Sequence, residues 1–206
     1  FVTRDGKETD LDLGYYERFL SIEMTGKNSS SSGKLFQQLL TNERNGLFLG
    51  KTVQMIPHFT NMIKDFITQD SELYDIILCE IGGSVGDIES IAFYEAIRQL
   101  KNQSDIENVL FVHLTYLLYY PITDELKTKP TQNAIRELQQ LGITPDILVC
   151  RSEHPVPPEI KEKLSLYTNL SVSHIIDASN DDSIYTVPLS FIKENVHLIL
   201  KDKLNI

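Results

Sequence analysis

Cys79-Glu-Ile-Gly-Gly-Ser-Val-Gly-Asp-Ile-Glu-Ser90 is a glycine-rich stretch that directly follows an apolar run at residues 74–78. The run, Tyr-Asp-Ile-Ile-Leu, is typical of a strand that is buried on both faces of a parallel sheet. Glu80 would then lie at the carboxyl end of this strand, where open α/β sheets bind their ligands. Gly82, Gly83 and Gly86 allow tight turns and a close approach of the backbone to a ligand.

Three carboxylates surround these glycines, those of Glu80, Asp87 and Glu89. One interpretation is a pocket for a metal ion and a nucleotide. The alternative is a glycine-rich turn that leads into a solvated helix, since Asp and Glu are favoured in the first turn of a helix. A glycine-rich turn is a weak signal by itself, so the local residues leave both interpretations open.

Composition and charge limit the classes of function. The chain has 206 residues, of which 41% are hydrophobic and 23% are charged, as in an ordinary globular protein. This length predicts one large domain, or a domain with an added lobe, that can bury a full core. The net charge of −10, with no block of Lys and Arg, argues against binding to nucleic acids or anionic membranes.

The cysteines and the apolar segments indicate the cellular compartment of the protein. Cys79 and Cys150 each end an apolar run, and we interpret them as buried free thiols of a cytoplasmic protein. The sequence has no apolar stretch near the roughly 20 residues of a membrane helix and no recognisable signal peptide. Because the chain begins at Phe1 without a methionine, we expect a further segment to precede it.

Helical and strand patterns alternate along the chain. Amphipathic spacing and capping residues predict helices at 15–20, 32–44, 59–69, 90–100, 130–141, 157–167 and 189–195. Apolar runs predict strands at 52–56, 74–78, 109–112, 147–150 and 175–176. Asp and Leu alternate at 10–13, which is typical of a strand or extended loop with both carboxylates on one side. The alternation predicts an α/β fold with a mainly parallel sheet flanked by helices.

Gly33-Lys34 superficially suggests a phosphate-binding P-loop. However, Asn28 stands where the first glycine of that motif should be, and Leu35 stands where Ser or Thr should follow. We therefore interpret residues 27–33 as a low-complexity loop that precedes a helix.

Four segments resemble motifs of the CTP synthase family, in matching order and spacing. They are Asp-Leu-Asp-Leu-Gly-Tyr-Tyr-Glu-Arg-Phe at 10–19, the glycine-rich stretch at 80–90, Lys-Thr-Lys-Pro-Thr-Gln at 127–132 and Ser-Ile-Tyr-Thr-Val-Pro at 183–188. The resemblance covers nearly the whole chain, and four motifs in register are a specific signal. It implies that residues 1–206 are an amidoligase (synthetase) domain that is incomplete at its N-terminus. The implied fold is that of P-loop NTPases of the dethiobiotin-synthetase-like kind, with the first β-α unit missing.

The resemblance also implies an activity. CTP synthases phosphorylate O4 of UTP with ATP, and ammonia then displaces the phosphate to give CTP in pyrimidine synthesis. A C-terminal glutaminase domain normally supplies the ammonia from glutamine, and the enzymes form homotetramers. An alternative is a catalytically incompetent fragment or homologue that binds nucleotide and serves assembly or regulation. A partition-type P-loop ATPase would share the fold but would not explain the segment at 127–132.

Individual residues match family positions with known roles. Asp12 and Glu80 match ligands of Mg²⁺, which prefers hard carboxylate oxygens together with substrate phosphates. Lys127 matches a catalytic lysine. The positions that match binding of UTP, or of CTP as feedback inhibitor, are Asp87, Ile88, Glu89, Lys127, Thr128, Lys129, Pro130, Thr131, Gln132 and Lys163. The positions that match the ATP site are Asp12, Ser179, Asn180 and Asp181.

The chain departs from the family pattern at a few positions. Asn180 and its neighbours differ from the usual residues beside the adenine, Asp124 stands where glycine is common, and Leu118 stands where proline is usual. We therefore expect the loop before the segment at 127–132 to differ in shape. His58 is either a residue near the substrate cleft or a structural residue at a helix start, and His113 is predicted to be a satisfied core residue.

Overall fold

The computed structural model describes residues 1–103 and 109–206, and the chain divides into the units Phe1–Ile77 and Leu78–Ile206. The first unit contains helices α1 Asp12–Leu20, α2 Ser32–Arg44 and α3 Thr60–Thr68. An irregular helical turn, Met55–Phe59, leads directly into α3. Helices α2 and α3 lie where their apolar spacing predicts them.

Helix α2 begins where the low-complexity loop ends. The hydroxyl of Ser31 accepts a hydrogen bond from the N–H of Lys34 at 3.2 Å, which satisfies a backbone donor that the helix itself leaves unpaired. Leu35 turns inward and is buried. Phe36 stacks on Phe59 with ring centroids 4.2 Å apart, so α2 packs against the turn before α3.

Four strands form one sheet in the described part of the second unit. They are β1 Val112–Tyr120, β2 Glu125–Lys127, β3 Ile147–Ser152 and β4 Ile175–Ser179, in the order β2-β1-β3-β4. Strands β1, β3 and β4 are parallel, and β2 folds back antiparallel to β1. Helices α5 Lys129–Gln140 and α6 Pro158–Thr168 connect successive parallel strands. The predicted α/β class with a mainly parallel sheet is confirmed.

Helices cover both faces of this sheet. On one face, Ile135 of α5 and Leu164 of α6 pack with Leu148 and Cys150 of β3. On the other face, α7 Val187–Lys193 and α8 Val196–Leu204 pack apolar side chains against β3 and β4. Helix α4 Ile91–Lys101 follows a short 3₁₀ turn, Ile88–Ser90, and packs against α5.

Three predicted strands are wrong or displaced. Residues 52–56 run into the irregular turn before α3, and the strand predicted at 109–112 begins only at Val112. Residues 74–78 form no strand, and Leu78 is 86% exposed. Apolar composition favours burial, but a strand also needs a neighbour for its backbone hydrogen bonds. No described strand pairs with residues 74–78.

The Asp-Leu alternation at 10–13 is not a strand either, because α1 begins at Asp12. A carboxylate in the first turn interacts favourably with the helix dipole, and the next residue, Leu13, is buried. The prediction of two buried thiols is correct for Cys150 and wrong for Cys79, which is exposed. Within the described residues, the helices are too short or too polar to cross a bilayer.

Candidate functional site

Asp87 closes a tight turn in the glycine-rich stretch. One oxygen of its carboxylate accepts the N–H of Ser84 at 2.7 Å, and its own N–H donates to the carbonyl of Ser84 at 3.1 Å. Gly83 adopts a φ of +89°, and a Cβ at this position would lie 3.0 Å from the same carboxylate oxygen. These contacts give Asp87 a structural part in the turn, which supports the interpretation of a turn that leads into a helix.

Gly86 brings this turn against helix α5. Its φ is +97°, and a Cβ there would lie 2.1 Å from Oε1 of Glu137. A side chain at this position would have to displace the flexible end of Glu137, and the positive φ by itself favours glycine. Nearby, Val85 packs on the cluster of Tyr94 and Leu138. The turn therefore packs against α5, the helix that begins within the segment at 127–132.

Negative charge accumulates around the hydroxyl of Tyr94. Burial raises the pKa of Tyr94, and the carboxylates of Asp87, Glu137 and Glu80 raise it further. Within the described residues, no three His, Cys, Asp or Glu side chains are grouped so as to hold a metal ion by themselves. A cation here would therefore need further ligands, such as water and phosphate oxygens, which is the usual situation for Mg²⁺.

The two predicted magnesium ligands belong to different units of the chain. Asp12 opens α1 in the first unit, and Glu80 precedes the glycine turn in the second. Both residues are exposed. Their chemistry fits Mg²⁺, since both offer hard carboxylate oxygens and leave coordination positions for water and phosphate. Coordination of one ion by both residues stays a prediction.

Lys127 makes an ion pair within its own strand. Its Nζ lies 2.5 Å from Oε2 of Glu125 and 5.5 Å from the ring centre of Tyr120. Residues 125 and 127 share one side of β2 because alternate strand residues point the same way. The hydrogen bond and charge of Lys127 lower the pKa of Glu125, and the charge of Lys163 on α6 lowers it further. The two lysines that were predicted to bind a triphosphate thus both act on one carboxylate.

The β1–β2 hairpin contains the departure at Asp124. Asp124 adopts a φ of +49°, a conformation that glycine favours and that aspartate tolerates. The hydroxyl of Tyr119 donates to its carboxylate at 2.8 Å, and the ring of Tyr119 lies 4.1 Å from the ring of His154. Aspartate is therefore accommodated at a backbone position that suits glycine, just ahead of Lys127.

The start of α5 turns several polar side chains inward. Thr131 is fully buried, and its hydroxyl lies 2.9 Å from that of Thr115 on β1. The side-chain amide of Gln132 donates to the hydroxyl of Thr128 at 3.0 Å, and both residues are buried. The first N–H groups of a 12-residue helix nevertheless attract anions. The backbone at this helix start is thus better placed to meet a phosphate than the hydroxyl of Thr131.

Other predicted residues of this set are on the surface. They are Ile88 and Glu89 beyond the glycine turn, Lys129 and Pro130 at the start of α5, and Lys163 on α6. Their exposure is compatible with ligand contact but does not by itself indicate it.

Three of the four predicted ATP-site residues, Ser179, Asn180 and Asp181, lie at the carboxyl end of β4, whereas the fourth, Asp12, opens α1. Asn180 accepts a hydrogen bond from Arg151 at 2.5 Å, and Arg151 also donates to the carbonyl of Ala178 at 3.2 Å. The carboxylate of Asp181 accepts the hydroxyl of Ser190 at 3.1 Å. Arg151 was missed by the sequence interpretation. Its signal is a single exposed, charged residue within the otherwise buried strand β3.

The two singled-out histidines have local roles. Nδ1 of His58 accepts the N–H of Gln54 at 3.1 Å, and its ring meets that of Phe48 edge-on at 5.0 Å, which supports the structural interpretation. Nε2 of His113 is buried without a hydrogen-bond partner among the described residues. The prediction of a satisfied core histidine is therefore wrong, and burial lowers the pKa of His113.

Comparison with known proteins gives the relationship of the whole chain. Residues 1–206 match the family model described as CTP synthase N-terminus. The chain is 51% identical to a CTP synthase of Rhodopseudomonas palustris (strain TIE-1) over 93% of its own length and 35% of the relative. It is 50% identical to a CTP synthase of Methanocaldococcus jannaschii over 100% of its own length and 38% of the relative. The chain thus spans little more than a third of these relatives, and it belongs to the CTP synthase N-terminus family.

Proposed function

We propose that this chain is the synthetase part of a ligase that makes CTP from UTP, ATP and ammonia. Its family membership supports this activity, as do the relatives that carry the name CTP synthase. The observation that carries the proposal is the position of Lys127 just before the start of α5, with an ion pair to Glu125 whose pKa the charge of Lys163 on α6 also lowers. Lysine ammonium groups and helix N-termini are both suited to hold phosphate.

The proposed reaction has two steps. The terminal phosphoryl group of ATP is transferred to O4 of UTP, and ammonia then attacks C4 while the bond from C4 to the phosphorylated oxygen breaks. In this proposal Lys127 and Lys163 hold the triphosphate of UTP, and Lys127 is also the catalytic lysine. The residues at the end of β4, Ser179, Asn180 and Asp181, contact ATP.

Mg²⁺ is the proposed cofactor, with Asp12 and Glu80 as its protein ligands. When bound, it would neutralise the negative charge of the nucleotide phosphates. Both residues are exposed carboxylates, which suits an ion that arrives with its nucleotide.

CTP is the proposed feedback inhibitor, and Glu89 is the residue that we assign to its recognition. UTP and CTP share a triphosphate, so the residues that hold phosphate cannot separate them. A carboxylate accepts a hydrogen bond from the exocyclic amine of cytosine but repels the carbonyl oxygen that uracil has there. Asp87, the other carboxylate of this segment, already bonds Ser84.

Ammonia is proposed to come from a glutaminase domain, and the working enzyme is proposed to be a homotetramer in the cytoplasm. No loop of residues 1–206 has the P-loop sequence pattern. We therefore propose that residues 1–206 alone do not form CTP. The competing function, nucleotide binding without catalysis, would be indicated if the full-length protein bound UTP but formed no CTP.

The test of the function uses the full-length protein with ATP, UTP, ammonia and Mg²⁺, with CTP formation as the readout. Lys127→Gln should weaken UTP binding about tenfold to a hundredfold, as expected for loss of one charge-assisted contact. Lys201→Gln, an exposed lysine on α8, is the matched control and should bind UTP normally. Absence of CTP formation in the unmodified protein would refute the proposed activity.

The metal and inhibitor assignments have their own variants. Glu80→Ala should abolish the Mg²⁺-dependent use of ATP and leave the fold intact, because this exposed residue contributes little packing. Glu89→Ala should weaken inhibition by CTP about tenfold to a hundredfold while changing the affinity for UTP much less. Equal losses for both nucleotides would mean that Glu89 supports the shared phosphate site or the fold instead.

A further inference from the structure

Glu125 forms an ion pair with one lysine and is influenced more weakly by the charge of a second one. Its carboxylate pairs with Lys127 on β2 at 2.5 Å and is also influenced by the charge of Lys163 on α6. Lys127 in turn lies above the ring of Tyr120. A carboxylate therefore already pairs with Lys127, one of the two lysines that we assign to the triphosphate.

A carboxylate and a phosphate offer lysine the same kind of partner, a charged oxygen that accepts a short hydrogen bond. The hydrogen bond and charge of Lys127, with the charge of Lys163, lower the pKa of Glu125. Glu125 is therefore ionised at neutral pH, as an ordinary glutamate is. It must either turn away or repel the ligand.

The side chains of Glu125 and Lys127 can separate without a change in the backbone. Both side chains are accessible, with 52% of Glu125 and 39% of Lys127 exposed. Both lie on one short strand, so rotation about side-chain bonds is enough to separate them. An exposed ion pair of this kind contributes little stability, and a triphosphate with several charged oxygens can replace it.

We propose that Glu125 is an internal competitor for phosphate: its carboxylate occupies Lys127 in the ligand-free protein and turns away when the triphosphate binds. Glu125 thereby lowers the affinity of the site for phosphate. The identity of the ligand as UTP rests on the proposed function, whereas the competition itself requires only a phosphate-containing anion.

The test measures binding of UTP and of inorganic triphosphate to the full-length protein by calorimetry, at two salt concentrations. Glu125→Gln removes the charge but keeps the size of the side chain. It should tighten binding of both anions about twofold to fivefold, the range expected for release of an exposed ion pair. It should also steepen the salt dependence, because the site becomes more positive.

Two further variants separate competition from a general change of charge. Glu162→Gln removes one charge from an exposed residue beside Lys163 on α6 and should change affinity less than Glu125→Gln. In a Lys127→Gln background, Glu125→Gln should tighten binding no more than Glu162→Gln does, because the competition acts through Lys127 and only the general change of charge is left.

Weaker binding in Glu125→Gln would show that Glu125 positions Lys127 rather than competing, and would overturn the proposal. A gain equal to that of Glu162→Gln, or the absence of triphosphate binding to any variant, would also overturn it. If triphosphate binds and tightens as expected while UTP does not bind, the competition stands and the proposed function fails.

Discussion

Replacing Gly86 by alanine tests the contact that fixes the glycine turn on α5. Gly86 has a φ of +97°, and the added Cβ would lie 2.1 Å from Oε1 and 2.5 Å from the carboxyl carbon of Glu137. A residue with a Cβ in a left-handed conformation costs about 1–2 kcal/mol. Forcing Glu137 away from its preferred rotamer adds about 0.5–1.5 kcal/mol. We expect Gly86→Ala to lower the free energy of unfolding by about 1.5–3.5 kcal/mol.

The measurement is urea unfolding of the full-length protein, with the change in midpoint read at constant slope. Gly82→Ala is the control within the same turn, because its Cβ would lie 3.9 Å from the nearest atom and its φ is not positive. It should change stability by less than about 0.5 kcal/mol. Gly86→Ala combined with Glu137→Ala should recover the part that comes from steric overlap but not the backbone strain.

Equal stability of Gly86→Ala and Gly82→Ala would refute this account of the turn. Additive effects in the double variant would also refute it. If Gly86→Ala and Glu137→Ala together lower the free energy of unfolding by the sum of their separate effects, Glu137 is not the group that the new Cβ meets.

Three further predictions concern the cap of α2, a buried hydroxyl pair and the thiols. Ser31→Ala should cost about 1 kcal/mol in urea unfolding through loss of the N-cap, and Ser31→Asp should keep it. Thr131→Val should cost about 1–3 kcal/mol because it leaves the Thr115 hydroxyl buried and unpaired, whereas replacing both by Val should be nearly neutral. Burial raises the pKa of Cys150 to about 12, so iodoacetamide at pH 8 should label only Cys79, which is exposed. In urea the reagent should label both thiols. In the unfolded chain the Cys150 thiol ionises near pH 8.5, whereas in the folded protein it stays protonated at that pH. The buried thiol therefore contributes stability that is fully present below about pH 8.5 and is lost as pH rises toward 12. Cys150→Ala should remove this part of the pH-dependent loss of stability.

Helix α5 and strand β3 could be predicted because several local signals agree there. Pro130 lies in the first turn of α5, and Gly142 just beyond its end adopts a φ of +77°, as a terminating glycine should. The apolar run at 147–150 becomes a fully buried part of β3. In both elements the residue pattern and the packing require the same structure.

Other elements depend on partners that local sequence does not specify. The run at 74–78 is as apolar as β3, but no described strand pairs with it. Conversely, β2 has only three residues and is a strand because β1 lies beside it. The candidate site follows the same rule. Lys127 and Lys163 were predicted from a family match and stay predictions, whereas Glu125 and Arg151 were missed because their contacts come from neighbours in the structure.

Helix α5 links the two parts of the candidate site. Near the start of the helix, the hydroxyl of Thr131 forms a hydrogen bond with that of Thr115 on β1. Further along the helix, the carboxylate of Glu137 lies against Gly86 of the glycine turn. Six residues of helix separate these contacts, or about 9 Å at 1.5 Å per residue. A rigid helix rather than a loop therefore sets the spacing between the two parts. For this reason a change at the glycine turn, such as Glu89→Ala, should leave the geometry around Lys127 unchanged. Glu89→Ala should therefore weaken the binding of CTP alone, whereas Lys127→Gln should weaken the binding of both nucleotides.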